Sequence, residues 1–165
     1  MSRLVTVIPV YNGERFLRAT LESVAAQTRR PDRVIIQDNC STDGTAALAK
    51  EFESEGFEWS LNEAHVSSTK NFNAALQFAS EADVLHLLTA DDLVAPGFYE
   101  RLLDPLESID GRALAYAAYE VIDENGALVQ GGDLVNPFPI EPNGQPRRIA
   151  RERFIASQAD LRTIC

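Results

Sequence analysis

The sequence predicts an α/β fold in which a mostly parallel central sheet carries helices on both faces. Two observations predict it. Mostly apolar runs of four to seven residues recur through the first two thirds of the chain, and runs of that kind suit strands buried on both faces, as in parallel sheets. Between them lie segments with helical spacing, the alternation that builds strand–helix–strand units. The length of 165 residues fits one domain with a proper core, and 45% hydrophobic with 24% charged residues is an ordinary globular balance.

The first strand is Leu4–Val10, LVTVIPV. Asn12-Gly13 turns the chain into a helix from Glu14 to Gln27, whose apolar positions are Leu17, Leu21, Val24 and Ala25. Pro31-Asp32 breaks the chain before a second strand, Arg33–Gln37. The polar turn Asp38 to Gly44 feeds a second helix carrying Leu48 and Phe52, and residues 57–61 form a third strand. A third helix begins near Ser67 or Ser68, both good N-cap types, with the stripe Phe72, Ala75, Leu76 and Ala79. A fourth strand, Asp83–Leu88, ends in Thr89-Ala90-Asp91-Asp92. Pro96 suits the first turn of a helix bearing Leu102, Leu103 and Leu106. Residues 113–122 form a strand, Asn125-Gly126 is a hairpin turn signal, residues 131–148 are a loop rich in Pro and Gly, and 148–157 resume a helical pattern.

Charge excludes several functions. Fifteen Lys plus Arg against 25 Asp plus Glu give a formal net charge of −10, which argues against nucleic acid and against anionic lipid, since both need a basic face. Cys40 and Cys165 make neither a disulfide framework nor a zinc cluster, and two histidines exclude a multi-His metal site. A reducing, cytoplasmic setting is the expectation. The start of the chain lacks a signal-peptide cleavage site, and no apolar run approaches the roughly 20 residues that span a bilayer.

Three strands end in polar turns: Tyr11-Asn12, Asp38-Asn39 and Asp91-Asp92. In an open α/β sheet ligands bind outside the carboxyl ends of the strands. Singly, Asn12, Asp38, Asn39 and Asp43 are what turns and caps use; together with the Asp pair they point to one site. Two adjacent carboxylates at the mouth of an apolar strand repel one another unless a cation neutralises them. Mg²⁺ or Mn²⁺, shared with a diphosphate, is the natural choice. His86 reads as a satisfied core histidine; His65, in a polar connection, reads first as part of a solvated loop although it could approach a ligand in the crevice. Arg147, Arg148, Arg151 and Arg153 read as a solvated helix face, with a grip on phosphate or an anionic carrier as the lesser reading. Cys40 has no His partner in place to make it a nucleophile.

The segments VTVIPVYNGERFLRATLESVAAQT, RVIIQDNCSTDGT, STKNFNAAL, VLHLLTADDLVAPGFYERLL and AYEVIDENGAL resemble, in order, the N-terminal half of a family 2 glycosyltransferase. The resemblance implies a Rossmann-like GT-A fold that binds a nucleotide-diphospho-sugar, with a UDP-sugar favoured. It implies transfer to a hydroxyl of a glycan or lipid-linked acceptor with inversion, in bacterial polysaccharide or cell-envelope biosynthesis. By resemblance Pro9, Val10, Tyr11, Asn12 and Glu14 line the nucleoside pocket, Asp38 and Asn39 face base and ribose, and Lys70 and Asn71 lie near the phosphates. Asp91 and Asp92 would hold the divalent cation, with Asp91 nearer. Asn39 stands where uridine-specific members carry a carboxylate, and Thr89 where the metal motif has its first Asp. The resemblance implies a single domain over residues 1–165, with the acceptor-binding part and the general base beyond it, so that the isolated chain binds nucleotide and transfers little. Asp123 and Glu124 read as a hairpin turn rather than as that base. A non-catalytic nucleotide-sugar module and a sugar nucleotidyltransferase remain alternatives, although the latter's glycine-rich basic loop is missing after the first strand. A phospho-receiver domain would need a lysine after a later strand, and none follows residue 70.

Overall fold

The computed structural model describes residues 2–107 and 120–129. The chain divides into two compact units, residues 1–115 and 116–165. In the first unit four parallel strands, β1 (Leu4–Val10), β2 (Arg33–Asp38), β3 (Phe57–Leu61) and β4 (Val84–Leu87), form a sheet in the order β3-β2-β1-β4. Every residue of β1 is buried, because it is sandwiched between two strands and covered on both faces.

The pleat sends alternate β1 residues to two cores. Leu4, Ile8 and Val10 pack with Val34, Ile36 and Phe57 under α1 (Leu17–Ala25), α2 (Thr45–Glu53) and α4 (Phe98–Glu107), which bring Leu21, Phe52, Tyr99 and Leu103. Val5, Val7 and Ile35 face Ala75 of α3 (Ser68–Ala75), with Phe78, Leu85 and Leu87 completing that layer. Each such side chain removed from water contributes about 1.5–3 kcal/mol before entropy is charged.

Three boundaries differ from the sequence reading. α1 begins at Leu17, three residues later than expected, because Gly13 O accepts from the N–H groups of Phe16 and Leu17 in a preceding turn. α4 begins after Pro96 rather than at it, since Gly97 has φ +70°, a left-handed conformation that cannot continue an α-helix. The expected stripe of the third helix also breaks: after Ala75 the chain tightens into a 3₁₀ segment, Leu76–Glu81. Three residues per turn place Phe78 above Ala75, so Phe78 joins the core while Leu76 is 48% exposed and Ala79 is exposed.

In the second unit Ile122 and Leu128 form an antiparallel bridge around a turn. Asp123 accepts from the N–H groups of Asn125 and Ala127, and Gly126 takes φ +80°. Asp123 thus serves the turn, as expected. The rest of the expected 113–122 strand, the 131–148 loop, and the 148–157 helix with its arginines lie outside the described residues.

Candidate functional site

Because all four strands are parallel, their carboxyl ends share one edge. The chain runs outward from β1 through β2 to β3, then returns to place β4 on β1's other side. The loops after β1 and β4 diverge at that switch point, which leaves a crevice. A cavity of about 520 Å³ lies there, lined by Pro9 and Val10 at the end of β1 and Tyr11 to Gly13 after it, Asn39 after β2, His65 to Ser68 after β3, and Thr89 to Asp91 after β4. Asn71 and Phe72 of α3 close its floor.

The loops after β1 and β2 are joined by their own polar side chains. Asn12, at φ 51°, donates its N–H to Ser41 Oγ (2.9 Å), and its Oδ1 accepts from Thr42 N–H (2.8 Å). Gly13 N–H donates to Thr45 Oγ1 (2.8 Å), Glu14 N–H to Asp43 Oδ2 (3.1 Å), and Gly44 N–H to Glu14 Oε2 (3.0 Å). Burial raises the Asp43 carboxyl, but the Thr45 hydroxyl and backbone N–H groups outweigh this and hold it below its ordinary value. Gly13 packs against the end of β1 itself, where a Cβ would lie 2.5 Å from Val10 Cγ2.

Asp38 and Asn39 are buried at the end of β2. Asp38 accepts from Ser41 N–H (2.9 Å) and the Trp59 indole (3.4 Å). Asn39 clasps Val66, accepting its N–H (2.9 Å) and donating to its carbonyl (2.8 Å), and also accepts from Asn62 Nδ2 (3.0 Å). Asn62 in turn donates to Asn71 Oδ1 (2.9 Å) and accepts from Gln37. One buried oxygen in this amide network, Gln37 Oε1, has no partner among the described residues.

The loop after β4 is held from α1 and its end instead. Thr20 Oγ1 donates to Ala90 O (2.9 Å), Ser23 Oγ accepts from Val94 N–H (3.1 Å), and Gln27 bonds Val94 O, Ala95 O and Phe98 N–H. Asp92 accepts from the Thr89 hydroxyl, whereas Asp91 is exposed and lines the cavity. Beneath, His86 Nδ1 meets Tyr99 Oη at 3.3 Å, and Thr6 Oγ1 meets the same oxygen at 3.0 Å. Burial lowers His86 to about 4 and pushes Tyr99 up to about 12. His86 is therefore neutral and structural.

Of the residues the sequence singled out, Pro9, Val10, Tyr11, Asn12, Asn39, Asn71 and Asp91 line the cavity together. Glu14, Asp38, Lys70 and Asp92 are not among its lining residues. His65 is exposed, as a solvated loop implies, and it also lines the cavity, with its ring 4.4 Å from that of Tyr11 and its Nδ1 3.1 Å from Asn39 O. The signal was available: β3 is parallel to β2, so the loop after it must open on the same edge. No group of three or more His, Cys, Asp or Glu that could hold a metal occurs among the described residues. None of their helices is long and apolar enough to cross a membrane.

The sequence model of the family described as Glycosyl transferase family 2 matches residues 5–157. An uncharacterised glycosyltransferase of Rickettsia typhi is 26% identical over 119 residues, 72% of this chain and 36% of its own length. The Escherichia coli UDP-Glc:α-D-GlcNAc-diphosphoundecaprenol β-1,3-glucosyltransferase WfgD is 28% identical over 85% of this chain and 54% of its length. The crystal structure of Staphylococcus aureus TarS 1–349 in complex with UDP shares the fold, with a TM-score of 0.54 at 21% identity over 73% of this chain and 41% of that one. The chain thus spans about half the length, or less, of these proteins.

Proposed function

This chain belongs to glycosyl transferase family 2, and from that premise we propose that its cavity takes a nucleotide-diphospho-sugar, a UDP-sugar foremost, for transfer to an acceptor hydroxyl. The single observation that carries the reading is the gathering of Tyr11, Asn39 and Asp91, from three separate strand ends, around one crevice. The nucleoside lies on the Tyr11 side, near Asn12 and Asn71, and the diphosphate extends toward Asp91. The amino end of α3, capped by Ser67, also opens on the cavity through Ser67 and Ser68, a polarity that favours anions.

A divalent cation fits the donor set. The described cavity lining contains no Lys or Arg but does contain the Asp91 carboxylate, so a diphosphate would meet negative charge unopposed. Mg²⁺ and Mn²⁺ are commonly held by one or two carboxylates and completed by substrate phosphates, which suits a site without a three-ligand protein cluster. Asp91 would hold the ion, with Asp92 assisting once its bond to Thr89 is exchanged. When bound, the ion neutralises charge on the leaving nucleoside diphosphate. The residues of the chain position the donor: Tyr11 flanks the base, Asn71 and the end of α3 face the ribose and phosphates, and the buried strand ends keep these groups from shifting.

In the transfer the acceptor oxygen bonds to the anomeric carbon as the carbon–oxygen bond to the diphosphate breaks. The hydroxyl proton passes to a general base, and single displacement inverts the centre. A glycan or lipid-linked acceptor is the class proposed, and the WfgD name, with its diphosphoundecaprenol acceptor, supports it. Titration calorimetry with UDP, GDP and dTDP, with and without Mn²⁺, tests the donor reading. Nucleotide binding strengthened by Mn²⁺ is expected. Absence of binding by all three would overturn the reading, and unchanged affinity after chelation would remove the metal from it.

A further inference from the structure

Beyond the general placement of a nucleoside, the Tyr11 end of the cavity contains groups that distinguish one base from another. Most polar groups there are already engaged. Asn39 accepts two hydrogen bonds at Oδ1, from Asn62 and Val66, and donates Nδ2 to Val66 O. Its backbone N–H donates to Val10 O, and the residue is only 2% exposed. Both lone pairs of its side-chain oxygen are used, so it has none to offer a base.

His65 is in the opposite condition. Its Nδ1 lies 3.1 Å from Asn39 O. A carbonyl can only accept, so Nδ1 carries the hydrogen, and in the neutral ring the lone pair is left on Nε2. Nε2 has no hydrogen-bond partner among the described residues, and the ring lines the cavity 4.4 Å from Tyr11 at an interplanar angle of 46°. The carbonyl therefore sets the tautomer of one available acceptor on the cavity wall, with the Tyr11 ring packed at a tilt against the imidazole.

We propose that His65 determines base specificity: its Nε2 accepts the ring N–H of a base seated beside Tyr11. Uracil and thymine carry that hydrogen on N3, whereas cytosine presents a lone pair at N3 and would face Nε2 lone pair to lone pair. The chemistry selects bases with a ring N–H on the pairing edge. This inference rests on the nucleotide-sugar reading above.

The experiment is titration calorimetry of the full chain, in Mn²⁺, with UDP and CDP, which differ at that edge and share ribose and diphosphate. His65 is itself exposed, so the wild type is expected to bind UDP about fivefold tighter than CDP, the size of one net hydrogen bond. His65→Ala should bring the two affinities within about twofold, chiefly by weakening UDP. His65→Gln, whose amide can both donate to Asn39 O and accept from the base, should retain a preference for UDP. A ratio unchanged in His65→Ala, or UDP and CDP weakened in equal proportion, would show that His65 only supports the loop and overturns the proposal. A wild type that binds neither nucleotide would instead overturn the donor reading on which it rests.

Discussion

The two sides of the crevice use polar residues in opposite ways. After β1 and β2, the side chains of Asn12, Glu14, Asp38 and Asp43 bond the neighbouring loop or turn. After β4, the bracing of the backbone comes from Thr20, Ser23 and Gln27 of α1 and its end, which leaves the Asp91 carboxylate without a hydrogen bond among the described residues. The first side is a finished wall. The second is a rigid backbone presenting an unfinished charge. An Asp or Asn at a strand end is therefore a structural residue where its loop has no outside brace, and available for a ligand where another element supplies one.

Four outcomes would break or sharpen that contrast, in order of size. Asp91→Ala should cost nucleotide binding in Mn²⁺ about 5- to 150-fold, the usual span of coupling between two ligands, while stability changes by less than about 0.5 kcal/mol. Calorimetry paired with urea denaturation reads both, and a destabilised Asp91→Ala would place that residue with the finished wall.

Acidification should loosen the β4 side first. His86 has a folded value of about 4 against an ordinary 6.5, so the unfolded chain binds its proton more readily. The His86 contribution is complete above pH 6.5, is lost as pH falls from 6.5 to 4, and changes no further below that. It amounts to at most about 3 kcal/mol. The Asp43 carboxyl of the other side, held below its ordinary 3.8, adds its loss only at lower pH. Urea midpoints across pH 4–7.5 should slope in the wild type and flatten in His86→Gln. An equal slope in both would separate His86 from the acid sensitivity.

Gly13→Ala should destabilise the fold by about 2 kcal/mol, because the new Cβ would press on Val10 Cγ2 at the end of a fully buried strand. Thermal melts read it, and a neutral result would show that Val10 can shift at the end of β1 without loss. Asn12→Ala should cost about 1–2 kcal/mol, from a lost acceptor for Thr42 N–H and an alanine forced to φ 51°. Asn12→Gly, which relaxes the backbone but not the bond, should fall between alanine and wild type.

Much of the fold was legible in the residues. The strands fall on the mostly apolar runs, most plainly at Leu4–Val10, which is buried throughout and whose one hydroxyl, that of Thr6, is taken up by Tyr99. Phe57–Leu61, at the sheet edge, is only partly buried and carries Glu58 and Ser60. His86 kept its structural reading for a similar reason: it sits within an apolar run and finds Tyr99. Gln27 was less legible, since it lies just past the α1 stripe and its use depends on Val94, Ala95 and Phe98, some 70 positions away. Asn39 could be seen to differ from a carboxylate, but not that its amide would clasp both backbone groups of Val66.

By itself the sequence determined the α/β class, the parallel strands, the family, and the loops that carry polar residues, because periodicity and turn chemistry act over a few neighbouring positions. Only the tertiary structure decided which of those polar residues are spent and which are spare. It put the β3 loop, and with it His65, into the cavity wall, engaged Asn12 and Asp38 with the protein, and braced the Asp91 loop from α1. The physical reason is that a side chain's hydrogen bonds are settled by whatever surrounds it in space, and here those partners come from strands and helices far apart along the chain.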